Sequence, residues 1–285
     1  MTALGLQGAP AIDHLCRLGR VSRAGWYRRR EARAPAEADA DLRDRIQALA
    51  LAHKRYGYRR IAAQLRRDGE TVNAKKVLRL MREDNLLCLR VSPYVPRTTD
   101  SRHGFRIRPN LVRGLVPSGP DQIWVADLTY IRLAEAFVYL AVVLDACSRR
   151  VVGWALEDHI ETRLALAALD MAIAARRPPP GSLIHHSDRG VQYACGAYVD
   201  RLETAGIRIS MSGLANPTDN AKAESFMKTL KAEEVDGKRY RSLAEARHDI
   251  GLFLETTYNR VRLHSALGYK PPVEFENDLG HSRPE

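Results

Sequence analysis

The chain has 285 residues, 45% of them hydrophobic and 28% charged, with a formal net charge of +11. That length suggests about two domains with enough apolar content for a sizeable core. The longest uncharged apolar run, 137–144, is far short of the roughly 20 residues of a membrane span, and Asp13, His14 and Arg17 interrupt the only early apolar stretch, so neither a transmembrane segment nor a secretory signal is expected.

In chain order, the first forty residues are rich in Ala and Arg, with a short helical pattern from Ile12 to Leu18 and a basic cluster at Arg28, Arg29 and Arg30. That cluster suits either DNA contact or a solvated helix end. Leu42, Ile46 and Leu49 give Asp41 to His53 a helical spacing, Tyr58 to Arg67 forms a second helix ending before Gly69, and Asn73 caps a third that runs to about Asp84. Three compact helices with a short turn before the last suggest a helix-turn-helix. On the third helix Val77, Leu80 and Met81 point one way and Lys75, Arg79 and Arg82 the other, a face suited to DNA or to plain solvent. The charge distribution favours DNA. Residues 1–110 hold 24 Lys or Arg against 11 Asp or Glu, a net of +13, whereas residues 111–285 hold 21 against 23, a net of −2. From Val91 to Pro120 five prolines and several arginines read as an extended basic linker.

Beyond Asp121 the pattern changes to strands. Ile123 to Leu133 is rich in β-branched and aromatic residues, Phe137 to Cys147 is almost wholly apolar and so buried on both faces, and Arg150 to Leu156 follows after a turn at Asp145 to Arg149. Thr162 to Ala175 is an amphipathic helix halted by Pro178, Pro179 and Pro180, and Ser182 to Ser187 is a short strand released into a loop at Gly190. Tyr193 to Ala205 reads as a helix, Ile207 to Met211 as a last strand, and the segment from Asp219 opens with capping residues and continues as a helix through Lys231.

Three acids stand out in this frame: Asp127 inside a strand, Asp188 at a strand's end and Glu224 on a helix. Ile123, Val125, Asp127, Thr129 and Ile131 share one strand face, where a lone acid among apolar neighbours needs a partner such as a cation. On the last helix Ala223, Phe226 and Leu230 form the buried stripe, and Glu224, Lys228 and Lys231 project from the other side. Taken alone, that helix face is an ordinary solvated surface with Glu-to-Lys support. Taken with the two earlier acids, it suits phosphodiester chemistry, in which two Mg²⁺ ions about 3.5–4 Å apart are held by a few carboxylates. Like charges about 4 Å apart repel by roughly 4 kcal/mol at an effective dielectric of 20, so such a cluster is unfavourable without cations.

At these residues the chain resembles a DDE transposase of the retroviral-integrase superfamily, specifically the second-reading-frame product of the insertion-sequence-3 group. The likeness rests on sixty residues between Asp127 and Asp188, thirty-five between Asp188 and Glu224, and Lys231 at the family's basic position. It extends to the motifs His185 to Tyr193, Asn216 to Ala221 and Tyr258 to Tyr269, and upstream to Tyr56 to Ile61, covering roughly residues 12–275. The resemblance implies a ribonuclease-H-like α/β catalytic core, a mixed five-stranded sheet with flanking helices, preceded by an all-α helix-turn-helix-like domain. The expected division is 1–40 basic helical segment, 41–90 DNA-binding domain, 91–120 linker, 121–275 catalytic domain and 276–285 tail.

The expected activity is Mg²⁺-dependent cleavage and strand transfer of an insertion sequence, with Asp127, Asp188 and Glu224 as catalytic and metal-holding residues and Mn²⁺ as a substitute ion. Lys231 and Lys228 are expected at the DNA near the metals, and Lys75, Arg79, Arg82, Arg59 and Arg60 in the helical domain. Element-end and target DNA are the expected partners, in a homo-multimer, with a nucleoid-associated cytoplasmic location. The alternatives are a DNA-binding regulator, a nuclease that cuts without joining, or a partial subunit inactive without an upstream-frame product. The resembled group draws a further helix-turn-helix and an oligomerisation helix from that product, and this chain starts at Met1 without them.

The remaining candidates are weaker. Asp145 suits a turn-capping role better than a metal ligand. His185 and His186 adjoin Asp188, but a histidine there is more often structural. Arg260, Arg262 and His264 gain no chemical role from spacing alone. Cys16, Cys88, Cys147 and Cys195 form no C-x-x-C pair, so reduced thiols are expected rather than a zinc knuckle or disulfides. The paired His and Cys ligands of the retroviral integrases' zinc module are likewise not supplied by His14, Cys16 and His53.

Overall fold

The computed structural model describes residues 16, 39–87, 104–213 and 220–281. The Arg28–Arg30 cluster, the Ile12–Leu18 pattern apart from Cys16, Cys88, the linker at 91–103, and the Asn216–Asp219 motif lie outside the described residues. The chain divides into two compact units, Met1–Ala48 and Leu49–Glu285. In the first, residues 39–48 include most of helix α1 (Ala40–Ala52).

The second unit begins with a helical pair, α2 (Tyr58–Arg67) and α3 (Ala74–Glu83). Ile61, Ala62 and Leu65 on one helix and Val77, Leu80 and Met81 on the other are buried, as their spacing requires. Asn73 does cap α3, its side chain accepting a hydrogen bond from the Lys75 backbone N–H at 2.8 Å.

A mixed sheet follows. β1 (Ile123–Arg132), β2 (Phe137–Asp145) and β3 (Val151–Glu157) run antiparallel, while β4 (Ile184–Ser187) lies parallel to β1 and β5 (Arg208–Met211) parallel to β4. The strand order is β3-β2-β1-β4-β5, so β1 is central. Helices α4 (Thr162–Arg176), α5 (Val191–Ala194) and α6 (Gly196–Thr204) cover one face, packing Leu164, Ala168 and Leu202 against Trp124, Ala126 and Val143. Helices α7 (Ala221–Leu230) and α8 (Leu243–Leu252) cover the other, where Phe226, Leu230 and Ile250 meet Ile123, Val125 and Val142. β2 contributes Val142 and Leu144 to one core and Ala141 and Val143 to the other, which is why its sequence is an unbroken apolar run.

Two departures from the sequence-based expectation concern helices. The single helix expected over Tyr193 to Ala205 is two, broken at Cys195, whose backbone is extended (φ −69°, ψ 152°) and whose thiol donates to the Thr162 hydroxyl at 3.3 Å. Past α8 the chain continues as a π-helix over Phe253–Val261, and α9 (Pro272–His281) crosses the boundary drawn at residue 275. Glu276 on α9 accepts hydrogen bonds from Ser148 at 2.7 Å, Arg150 at 2.6 Å, and Arg176, pinning the C-terminal helix to the β2–β3 turn. Its carboxyl is held below the ordinary range by these partners against the opposing effect of burial.

Helix α4 approaches the sheet closely at Gly153 in β3, where a Cβ would lie 2.1 Å from the Ala168 backbone oxygen. Backbone cannot yield as a flexible side chain does, so Gly153→Ala is expected to lower the unfolding free energy by about 1–3 kcal/mol. Urea denaturation of the two proteins measures it; equal midpoints would show that α4 does not pack at this distance.

Candidate metal centre

Strand register brings the first two acids together. β1 pairs with β4 through Ile123 and Ile184, Trp124 and His185, and Val125 and His186. Two residues further along each chain are Asp127 and Asp188, so the same register sets them side by side where β4 ends, with neighbouring strands about 4.8 Å apart. The Asp127 carboxylate accepts from the Leu128 N–H at 2.8 Å, and that of Asp188 from the Gly190 N–H at 2.9 Å.

The third acid arrives on α7. Ala223, Phe226, Met227 and Leu230 are buried against the β1 face that also carries Asp127, leaving Glu224 half-exposed at the helix flank. Asn220 occupies the cap position, but its side chain makes no cap bond. Its Nδ2 donates instead to the Ala126 carbonyl at 3.0 Å, tying the start of α7 to β1 beside Asp127. In the sequence this segment is marked by its capping residues and by the Asn216 to Ala221 motif of the resemblance, neither of which shows the bond to Ala126. Lys231, one turn beyond α7's buried Met227, places its Nζ 4.3 Å from the centre of the Tyr130 ring. Lys228 is well exposed and approaches Glu224 at 4.0 Å.

Electrostatics reflect the proximity of these groups. Asp127 is pushed up from 3.8 to about 7, first by removal from water and then by the negative charge of Asp188; Glu224 raises it further, while the Leu128 N–H and Lys231 oppose. Lys231 is lowered by burial, against the attraction of Asp236 and Asp127. Tyr193, which its sequence position does not single out, is buried with a hydroxyl that has no hydrogen-bond partner among the described residues. Burial raises its pKa well above the ordinary value, and Tyr198, Asp127 and Asp188 add to the rise.

The acids are near one another without being tightly gathered. Among the described residues, the group of three ligand atoms all within 4.8 Å of one another is Glu157, Asp158 and His159, at the end of β3, and not the triad. Repulsion explains the wider setting: Asp127 and Asp188 each turn to a backbone N–H, and Glu224 to Lys228. The Glu157 group is a solvated cluster, in which Asp158 is 74% exposed and paired with His159 at 2.6 Å while Glu157 faces Arg247 at 3.5 Å.

The neighbouring candidates serve the fold. His185 bonds the Tyr198 hydroxyl at 3.0 Å and is pushed down to about 3 by burial and His186, so it is neutral. His186 bonds the hydroxyls of Ser210 at 2.8 Å and Ser212 at 3.2 Å. Asp145 caps its turn, accepting from the N–H groups of Cys147, Ser148 and Asp121 at 2.9, 2.8 and 2.7 Å.

In the helical pair, Lys75, Arg79 and Arg82 are exposed on α3 as expected, with Arg79 also paired to Glu83 at 2.9 Å. Arg59 is exposed and lies over its neighbour Tyr58. Arg60 faces inward to Glu233 at 3.5 Å. Two separated motifs meet here: the buried Tyr56 hydroxyl accepts from the Leu263 N–H at 2.8 Å, and Arg262 grips Glu233 with two bonds of 2.7 and 2.8 Å. Arg108, in the described part of the linker, pairs with Glu203 at 2.8 Å. No described helix is long and apolar enough to cross a membrane.

Comparison with known proteins agrees with this architecture. The family model described as "Integrase core domain" matches residues 117–217, a second of that description matches 205–272, and "HTH-like domain" matches 37–94. The "Insertion element IS600 uncharacterized 31 kDa protein" of Shigella sonnei is 37% identical over 92% of this chain and 97% of its own. "Transposase InsF for insertion sequence IS3A" of Escherichia coli is 36% identical over 94% of each. A solved structure of the HTLV-2 integrase catalytic core domain in complex with magnesium covers 56% of this chain and 98% of its own, at 17% identity and a TM-score of 0.39.

The crowded charge at Asp127 has a measurable consequence. A carboxyl whose folded pKa is raised from 3.8 to about 7 destabilises the native state as it ionises, so the penalty is absent below about pH 4 and complete above about pH 7. Asp127→Asn is therefore expected to raise Tm by several degrees at pH 8 in metal-free buffer and to leave it unchanged near pH 4. Scanning calorimetry at both pH values tests this; an unchanged or lower Tm at pH 8 would show that burial and the neighbouring acids do not together disfavour the ionised Asp127.

Proposed function

The chain belongs to the transposases of the insertion-sequence-3 family, and from that premise we propose that Asp127, Asp188 and Glu224 form a divalent-metal centre for DNA strand cleavage and strand transfer. One observation carries the reading: acids from β1, the end of β4 and α7 lie close enough that Asp188 and Glu224 add to burial in raising the pKa of Asp127. Oxygen donors crowded until one resists ionisation fit a hard cation such as Mg²⁺, and Mn²⁺ shares the preference. Asp127 and Asp188 would hold the metal, two ions being the number we infer, and Glu224 would complete the shell. Bound there, the ions supply charge neutralisation at the phosphate, an activated oxygen nucleophile and a stabilised leaving oxygen.

The chain's own groups do the positioning. Lys231, held beside Tyr130 and Asp127, meets a phosphate at the centre, and Lys228 extends that contact one turn toward the start of α7. Lys75, Arg79 and Arg82 on α3, with Arg59 on α2, hold the duplex by its backbone and so set register without reading bases. Water attack on a phosphodiester at the element's end frees a 3′-hydroxyl, whose oxygen then displaces another strand's 3′-oxygen, conserving the number of phosphodiester bonds in that second step. Two ends must be held at once, which calls for a multimer.

The wider setting of the three acids favours one second reading, that the chain occupies DNA ends and cuts only once an upstream-frame partner or a second copy draws the centre together. Labelled element-end duplex incubated with Mg²⁺, with and without that partner, separates the two by product size. Asp127→Asn, Asp188→Asn and Glu224→Gln are each expected to abolish cleavage and joining while leaving DNA affinity intact. Lys75→Gln and Arg82→Gln are expected to weaken binding and to lower the salt slope by about 1 for each phosphate no longer neutralised. A triad variant that joined strands at the normal rate would refute the assignment.

A further inference from the structure

The helix that carries Glu224 also lines a cleft of the opposite charge. A cavity of 180 Å³ lies among α2, the β2–β3 turn, α7 and the segment that follows the π-helix. Arg60, Arg149, Lys222, Arg262, His264 and Tyr258 stand in its wall, and none of the described residues lining it is a carboxylate. Glu233, outside the cavity, is shared between two of the cations, Arg262 at 2.7 Å and Arg60 at 3.5 Å. Arg149 and Lys222 make no ion pair among the described residues.

These cations act on one another. Arg60 is lowered by burial and then by Arg262. Burial and the charges of Arg262, Arg60 and Arg149 push His264 down to about 3, so the imidazole is neutral at physiological pH. Arg149 also holds a left-handed backbone conformation, φ 62°, that glycine would adopt more readily. A cluster of half-buried positive charge whose nearby carboxylates, Glu233 and Asp145, both lie outside the cavity is unfavourable for the same kind of Coulombic reason as the acidic centre. An anion relieves it.

The elements that meet here indicate which anion. Arg60 comes from α2 of the HTH-like segment, and Lys222 from α7, two residues before Glu224 and on a different side of that helix. The cleft thus joins the helices assigned to hold DNA to the helix assigned to the chemistry.

We propose that this cleft is a second, metal-independent site for a DNA backbone phosphate, held by Arg149 and Lys222 together with Arg262 and Arg60. It fixes a strand at the flank of α7 while the acidic centre acts on another part of the DNA. The identity of the anion rests on the transposase reading; the site itself does not require the acidic triad to be catalytic.

The test is the double substitution Arg149→Gln/Lys222→Gln in the full chain, with Arg149→Lys/Lys222→Arg as the charge-conserving control. In buffer free of DNA and phosphate the Gln pair is expected to raise Tm by relieving repulsion. Its affinity for labelled duplex is expected to fall about tenfold, with a salt slope smaller by about 1, whereas the control binds nearly as wild type. Inorganic phosphate is expected to raise the Tm of wild type more than that of the Gln pair. A folded Gln variant with wild-type affinity and salt slope overturns the proposal, and so does a variant that both melts lower and binds less, which would make the residues structural. Phosphate stabilisation with DNA affinity unchanged would make the cleft a free-anion site and equally reject a DNA role. Failure of the triad reading would look different: Asp127→Asn would retain strand joining while the Gln pair still bound DNA more weakly.

Discussion

The structure turns on three carboxylates that the fold keeps near one another, with one of them, Asp127, buried as well. Parallel pairing of β1 with β4 brings Asp127, inside β1, beside Asp188 just past the end of β4, and the apolar stripe of α7 sets Glu224 over the same face. Backbone N–H groups and two lysines soften the conflict without removing it, since Asp127 still ionises only near pH 7. A sheet and a packed helix are rigid supports, and rigidity is what lets a fold hold like charges together until cations arrive.

Helix α7 organises more than this centre. Its buried stripe faces β1, its start is tied to the Ala126 carbonyl by Asn220, and Lys222 lines the cationic cleft. Past its end, Glu233 is gripped by Arg262 and approached by Arg60, so the HTH-like segment, α7 and the C-terminal segment are joined through one carboxylate. Negative and positive clusters on two sides of one helix suit a substrate that is itself a polyanion and reacts through metal ions.

Much of this can be read from the chain, and the limits have physical causes. β1 and its alternation, the two-sided burial of β2, the α7 stripe and the Asn73 cap all follow from local periodicity, so sequence alone carries them. Asp127 is legible as a site because an acid on an apolar strand face needs a partner. The break at Cys195 is not, because the helical spacing of apolar residues continues across it. Nor is Asn259, which bonds both backbone groups of Val151 at 2.9 Å from 108 residues away and so edges β3 as another strand would. The cationic cleft takes its charges from four separate parts of the sequence, and although Arg60 is expected at DNA, no local pattern brings the four together.

In the proposed centre Asp127, Asp188 and Glu224 make one cation site. Crystals of the protein with Mn²⁺, measured at a wavelength where manganese scatters anomalously, test it most directly. The account predicts a peak about 2.1 Å from oxygens of both Asp127 and Asp188, with Glu224 drawn toward it. Manganese at Glu157, Asp158 and His159 alone, with the triad bare, would contradict it.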